Sequence, residues 1–314
     1  RRIKRIFPAL TLMLMVSFAF AWFVLFDDEL KQLGKNTLRS VAFLSNFTFW
    51  RETGYFDSAA ETKPLLHLWS LGVEEQFYIV WPLIIWVLWR LRACRWRIMA
   101  ALTLASFAWN VYQSQHDLAH DFYSPFTRFW EMSSGALLAY RQVTLSSQKN
   151  LAGGACLRTA ELRSAVGVVL LVASVCWIDA DKRFPGLWAL FPVLGAVLLI
   201  SGEGKTWVSH TLFGNRWVVW LGAISYPLYL WHWPIFSYAR IVEGDTPAVL
   251  FRLAAVLGSI VLAWLTYKWV EKPIRFGWQF RYKTGVLIIA MLGVGLLGYY
   301  ANETRGFPSR AIMK

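Results

Sequence analysis

His67, Glu74 and Tyr78 stand seven and four residues apart in KPLLHLWSLGVEEQFYIVWPLIIWVLWRLR, residues 63–92, a run apolar enough to cross a bilayer. At ~100° per residue on a helix, Glu74 falls within about 20° of His67 and Tyr78 about 20° to the other side. One face would then carry an imidazole, a carboxylate and a phenol, which are groups that move protons and donate to a developing oxyanion. A rise of ~1.5 Å per residue separates His67 from Glu74 by ~10 Å, so the two can line one cavity without touching. The alternative is that His67 sits at the membrane interface while Glu74 and Glu75 satisfy neighbouring helices; ionisable groups within a span otherwise mark function.

A second constellation is GAISYPLYLWHWPIF, residues 222–236, where Ser225 and His232 are again seven apart. Pro227 and Pro234 each remove a helical donor and would bend the helix. Read by itself, His232 among tryptophans fits a packed core histidine or an aromatic belt as well as a base. A third is RRIKRIFPAL at the amino end, in which Arg2 and Arg5 are i,i+3 neighbours. Guanidinium forks suit phosphate groups, and the competing reading is orientation by positive charge alone.

These residues need a scaffold, and the composition specifies it. Hydrophobic residues make up 57% of the 314-residue chain, aromatics 17%, and mean hydropathy is +0.41. That excludes an ordinary soluble domain and implies an all-α polytopic helical membrane protein. About nine spans are expected, near 7–26, 66–89, 98–113, 126–141, 164–179, 187–200, 217–239, 247–269 and 284–300. Residues 37–50 are too short to span and read as an interfacial or re-entrant helix. A Ser/Gly-containing loop is expected at 144–154.

The net charge of +13 is explained by topology. With the amino end inside, the inner segments hold 19 basic and 3 acidic residues and the outer ones 13 of each. The excess is a positive-inside signal, which removes the case for nucleic acid and places the carboxyl end outside. Cys94, Cys156 and Cys176 are widely spaced, and neither a disulfide framework nor a metal site is expected. GVGLLG, residues 293–298, fits a dinucleotide fingerprint only in letters, because it lies inside a span with no preceding strand. The start without Met or a signal pattern reads as a piece of a longer chain.

RRIKRIFPAL, KPLLHLWSLGVEEQFY, TRFWEMSSGALLAY, ISYPLYLWHWPIF and WVEKPIR occur in an order that resembles the acyltransferase-3 family of bacterial membrane acyltransferases. The resemblance covers residues 1–276; the expectation for 277–314 is an additional span and the start of an extracytoplasmic linker. The long LLHLWSLGVEEQFY form is similar to the branch fused to a carboxyl-terminal SGNH hydrolase-like domain.

The resemblance implies transfer of an acyl group, commonly acetyl from cytoplasmic acetyl-CoA, to a hydroxyl of an extracytoplasmic glycan such as lipopolysaccharide O-antigen, in the bacterial inner membrane. It implies that Arg2 and Arg5 match an R-x-x-R pattern near the acyl-CoA donor. It also implies a primary base on a helix upstream of Arg1, since no His here has Lys or Arg eleven places before it. His67, Glu74 and Tyr78 would then be supporting catalytic residues. The rival readings are a secondary transporter, whose pathways also use buried carboxylates and proline-bent helices, and a scaffold whose polar residues only join helices.

Overall fold

The computed structural model describes residues 2–53, 59–90, 95–148, 157–179, 181–202, 206–244, 247–277, 282–308 and 310. Among these residues there are helices and no strands. The α-helices are α1 (Arg2–Val24), α2 (Asp27–Val41), α3 (Ser45–Glu52), α4 (Leu68–Arg90), α5 (Arg95–His116), α6 (Leu118–Tyr123), α7 (Pro125–Gln148), α8 (Leu157–Trp177), α9 (Leu190–Ser201), α10 (Arg216–Glu243), α11 (Val249–Leu265) and α12 (Lys283–Glu303).

Each of the nine expected spans coincides with one of these helices. Five are long and apolar enough to cross a membrane unaided: α1, α4, α8, α12 and the segment Val249–Gly277, in which α11 continues as π-helix. Large apolar side chains such as Trp86, Val169, Val175, Leu250 and Leu296 are mostly exposed on them, as lipid-facing surfaces require and water-facing ones do not tolerate. Helix α7 runs on through the start of the expected 144–154 loop to Gln148; 149–154 lies outside the described residues, as do Cys94 and Cys156.

The chain divides into two compact units. Unit 1 comprises 1–72 and 220–314, and unit 2 comprises 73–219. In unit 1, α10 lies parallel to α1, and two tyrosines fix the register. The Tyr226 hydroxyl donates to the Ile6 carbonyl at 3.0 Å, and the Tyr238 hydroxyl to the Ser17 carbonyl at 2.8 Å. Leu10, Met13, Leu14, Leu30, Leu68, Leu230 and Met291 are core residues of this unit.

The single short helix expected at 37–50 is instead two, α2 and α3, folded back on each other. The Gln32 side-chain amide and the Lys35 ammonium reach Glu52 at 2.6 and 2.7 Å, and the chain reverses at Phe43, whose φ is 56°. At that reversal Phe43 meets Phe7, near the Arg2 end of α1, with ring centroids 6.2 Å apart. The hairpin therefore dips along α1, as a re-entrant element does.

The sequence hid α2 because its face is polar, DDELKQLGKN. It docks through glycine rather than bulk: Gly34 packs on Gly298 of α12 so closely that a Cβ on Gly34 would stand 2.7 Å from the Gly298 carbonyl oxygen. Acidic residues at its start, with Glu29 accepting from the Phe26 N–H at 2.9 Å, complement the helix dipole.

The carboxyl-terminal turn closes unit 1. Arg310, its side chain 3% exposed, donates to the carbonyls of Trp22 at 2.8 Å and Leu25 at 3.1 Å and pairs with Asp27 at 2.6 Å. Gly306, at φ 80°, passes the Asp27 backbone where a Cβ would lie 1.9 Å from its oxygen, so only glycine fits.

In unit 2, Phe77, Trp81, Leu88 and Met99 form the core with Phe129 and Met132 of α7. Helices α5 and α7 are joined by a Thr103–Ser133 hydroxyl pair at 2.9 Å, and α8 crosses α9 at facing Gly167 and Gly195. The small helix α6 carries Asp121, buried, whose carboxylate accepts from Asn110 at 3.0 Å.

Candidate active site

Pro64 and the turn 64–67 precede α4, so His67 stands just outside the helix rather than within it. The entry is wound with i→i+3 bonds: Leu66 to Lys63, Leu68 to Leu65 and Trp69 to Leu66, each 3.1 Å. This tight winding turns the imidazole into unit 1, where it is 7% exposed. It meets the Tyr229 ring at 5.2 Å and the His232 ring at 5.8 Å between centroids, both edge to face. The Tyr229 hydroxyl donates to the His67 carbonyl at 2.5 Å and shares a 2.9 Å hydrogen bond with Ser70.

Two of the sequence constellations thus meet: His67 from the first and His232 from the second. The register of α10 against α1 gives their depth. Tyr226 and Tyr238 bracket His232 and pair with Ile6 and Ser17, so the histidines lie level with the middle third of α1 and away from its ends.

Neither ring nitrogen of His67 makes a hydrogen bond of good geometry among the described residues. The carbonyl of Leu230 is within interaction range of the ring. Pro234 explains that carbonyl's availability, because it sits four residues on and has no N–H to donate to it. His232 is better tied: its Nδ1 must donate to the Leu228 carbonyl at 3.2 Å, since a carbonyl only accepts, and this leaves Nε2 as the basic nitrogen. Ser225 bonds within its own helix, to the Gly222 carbonyl at 2.9 Å, and is exposed.

Glu74 and Tyr78 fall beyond the boundary, in unit 2, and both are exposed on α4. The structure therefore joins His67 to Tyr229 and His232. Tyr229, Ser70 and Trp233 were missed as site residues. The signal available was the i,i+3 and i,i+4 spacing of Tyr229, His232 and Trp233 on one predicted helix, which puts them on neighbouring positions of one surface.

At the other end of unit 1, Arg2 and Arg5 are exposed on the first turns of α1. The WVEKPIR segment packs there: Arg5 is in electrostatic contact with buried Glu271, and Arg275 pairs with Glu271 at 3.3 Å. With Lys272 exposed alongside, the cluster holds an excess of cations around one carboxylate, which fits an anion. Along α1, Arg5 and the level of His232 are about seven residues apart, or ~10 Å.

Helices with apolar outer faces, and within unit 1 a buried His67 beside a half-buried His232 and a cationic cluster at the start of α1, define a multi-pass membrane protein with a polar site. The model for the acyltransferase domain matches residues 1–268, and the chain belongs to the acyltransferase-3 family.

Among curated relatives, the chain is 31% identical over 285 residues to the putative peptidoglycan O-acetyltransferase YrhL of Bacillus subtilis, covering 88% of this chain and 45% of the relative. It is 29% identical over 290 residues to the peptidoglycan O-acetyltransferase OatA of Listeria monocytogenes, with the same coverage of 88% and 45%. It is 27% identical over 289 residues to a putative O-acetyltransferase of Staphylococcus aureus, covering 88% and 46%. The chain thus spans less than half the length of these relatives. No solved structure matches it.

Proposed function

We propose that this chain is the membrane part of an O-acyltransferase that carries an acyl group, acetyl by analogy, from acyl-CoA to a hydroxyl of a glycan on the opposite side of the membrane. The observation that carries the reading is the contact of buried His67 with half-buried His232, level with the middle of α1 and ~10 Å along that helix from Arg5, with Arg2 a turn further. The rim suits the phosphates of the donor, and the positive-inside rule places it on the cytoplasmic side. The carboxyl end then faces out.

In the reaction the acceptor oxygen attacks the acyl carbonyl, the donor's carbon–sulfur bond breaks, and the hydroxyl proton finishes on the thiolate. His67 and the Nε2 of His232 are the proton acceptors of this reading, and Tyr229 positions His67 through its backbone. The supporting roles proposed for Glu74 and Tyr78 rest on the sequence reading alone, both side chains being exposed on α4. The names of the relatives favour peptidoglycan as the glycan over the O-antigen expected from the sequence, with a bacterial cytoplasmic membrane as the setting.

The test is glycan acetyl content in cells expressing the full-length parent, with protein levels matched. Arg5→Ala, His67→Ala and Glu74→Gln are each expected to reduce it, and normal acetylation in all three would remove the reading.

A further inference from the structure

Where α10 approaches the Val24 end of unit 1, a cavity of about 260 Å³ opens between Trp233, Phe236, Ser237 and Arg240 of α10, Glu61, and Arg252 of α11. It shares no residue with the histidine pair but adjoins it, since Trp233 follows His232 with ring centroids 6.5 Å apart. The α10–α1 register orders its depth: Trp233 is level with the middle of α1, and Arg240 lies beyond Ser17, toward the Val24 end. The cavity therefore runs from a charged rim down to Trp233, the residue next to His232.

Its lining has three parts. Trp233 and Phe236 present aromatic surface, and the Trp233 indole is held in place by its N–H donating to the Lys63 carbonyl at 2.9 Å. Arg240 and Glu61 form an ion pair at 3.3 Å at the rim, with Arg252 exposed beside it. Between them stands Ser237, 2% exposed, whose hydroxyl has no hydrogen-bond partner among the described residues. A buried hydroxyl without a partner costs free energy that an incoming polar group recovers.

The combination selects one ligand chemistry. A hydrocarbon chain would leave Ser237 unsatisfied and gain nothing from the ion pair. An inorganic anion would meet Glu61 and make no use of the rings. A sugar uses all three, because its slightly positive C–H face packs on the negative face of an aromatic ring while its hydroxyls both donate to a carboxylate and accept from guanidinium. The volume is below the ~300 Å³ at which drug-sized sites begin, which suits a single pyranose ring.

We infer that this cavity is the acceptor subsite, binding one sugar ring of the glycan with its polar edge on Ser237, Arg240 and Glu61 and delivering a hydroxyl toward the His67–His232 pair. The inference rests on the proposed acyl transfer and adds the place and chemistry of acceptor recognition.

The full-length parent in nanodiscs is titrated with chitotriose, following intrinsic tryptophan fluorescence and calorimetric heat. Saturable binding is expected, weakened about tenfold or more by Phe236→Ala and by the cavity-filling Ser237→Leu, and less by Arg252→Ala. Ser237→Ala, which removes no hydrogen bond, checks that position 237 tolerates change in the fold. Arg5→Ala is expected to bind chitotriose normally. Absence of saturable binding, or affinity unchanged from the parent's in Phe236→Ala and Ser237→Leu when both are folded, overturns the subsite. Binding at this cavity in a parent that transfers no acyl group in cells would instead overturn the proposed function and leave a sugar site standing. Acetylation with an unchanged acceptor KM in Ser237→Leu would do the reverse.

Discussion

Two buried titratable side chains, His67 in unit 1 and Asp121 in unit 2, are treated oppositely by their surroundings. One oxygen of Asp121 is provided for: Asn110 donates to Oδ1 at 3.0 Å, with the Gly186 backbone and the Arg128 charge in electrostatic range, while Oδ2 makes no hydrogen bond of good geometry among the described residues. Thr127 also closes on the Asp121 carbonyl at 2.7 Å. His67 is also buried, yet neither of its nitrogens has a well-formed partner and its neighbours are other rings. A buried polar group given partners by the fold holds the fold together; one left without them is waiting for something that is not part of the chain.

Replacing the two residues should separate these roles. The largest effect is expected for His67→Ala in the full-length parent, with acyl transfer falling about a hundredfold, the lower part of the range for proton-transfer groups, and protein level unchanged. A fall in level that accounts for the whole loss would erase the distinction. Asp121→Ala should act on stability, costing about 2 kcal/mol because it strands the buried Asn110 amide. Thermal unfolding in detergent measures that, and Asp121→Asn should recover most of it.

The pH dependence sharpens the contrast. Burial is the main cause that raises the Asp121 carboxyl to about 6, opposed by the Gly186 and Asn110 hydrogen bonds and the Arg128 charge and reinforced by Glu131. A carboxyl whose folded pKa lies above its unfolded value favours folding while protonated. Its contribution is full at low pH and is lost as pH rises from about 4 through 6. The unfolding temperature should therefore fall between pH 5 and pH 7.5 by an amount that Asp121→Asn abolishes. A fall of the same size in the Asn variant would assign it to other groups. The smallest effect is expected for Tyr229→Phe, which removes the donor to the His67 carbonyl. It should lower transfer severalfold with stability changed by about 1 kcal/mol, and a lowered kcat with an unchanged acceptor KM would confirm a positioning role.

The spans were legible because a lipid-facing helix must be apolar over its length, and this leaves a signal in every window of the sequence. The α2–α3 hairpin was half legible. Its second part is apolar, but α2 packs through Gly34 against Gly298, and a glycine contact leaves no hydrophobic signature. At the site, His67 and His232 were both singled out, yet apart. Their meeting depends on a turn before α4 and on α10 lying parallel to α1, relations between segments more than 160 residues apart that periodicity within either segment does not encode. Glu61, Arg240 and Arg252 were read only as charges at membrane edges, where the ion pair and the cavity beneath it give them a further use.

The Arg310 clamp has a mechanical meaning. One guanidinium holds the last turn of α1 through Trp22 and Leu25 and the first residue of α2 through Asp27, with Gly306 allowing no slack between them. The corner between α1 and α2 and the exit from α12 therefore form a single stiff joint. A pull on Arg310 is delivered through its guanidinium to the end of α1, the helix that carries Arg5 at its other end.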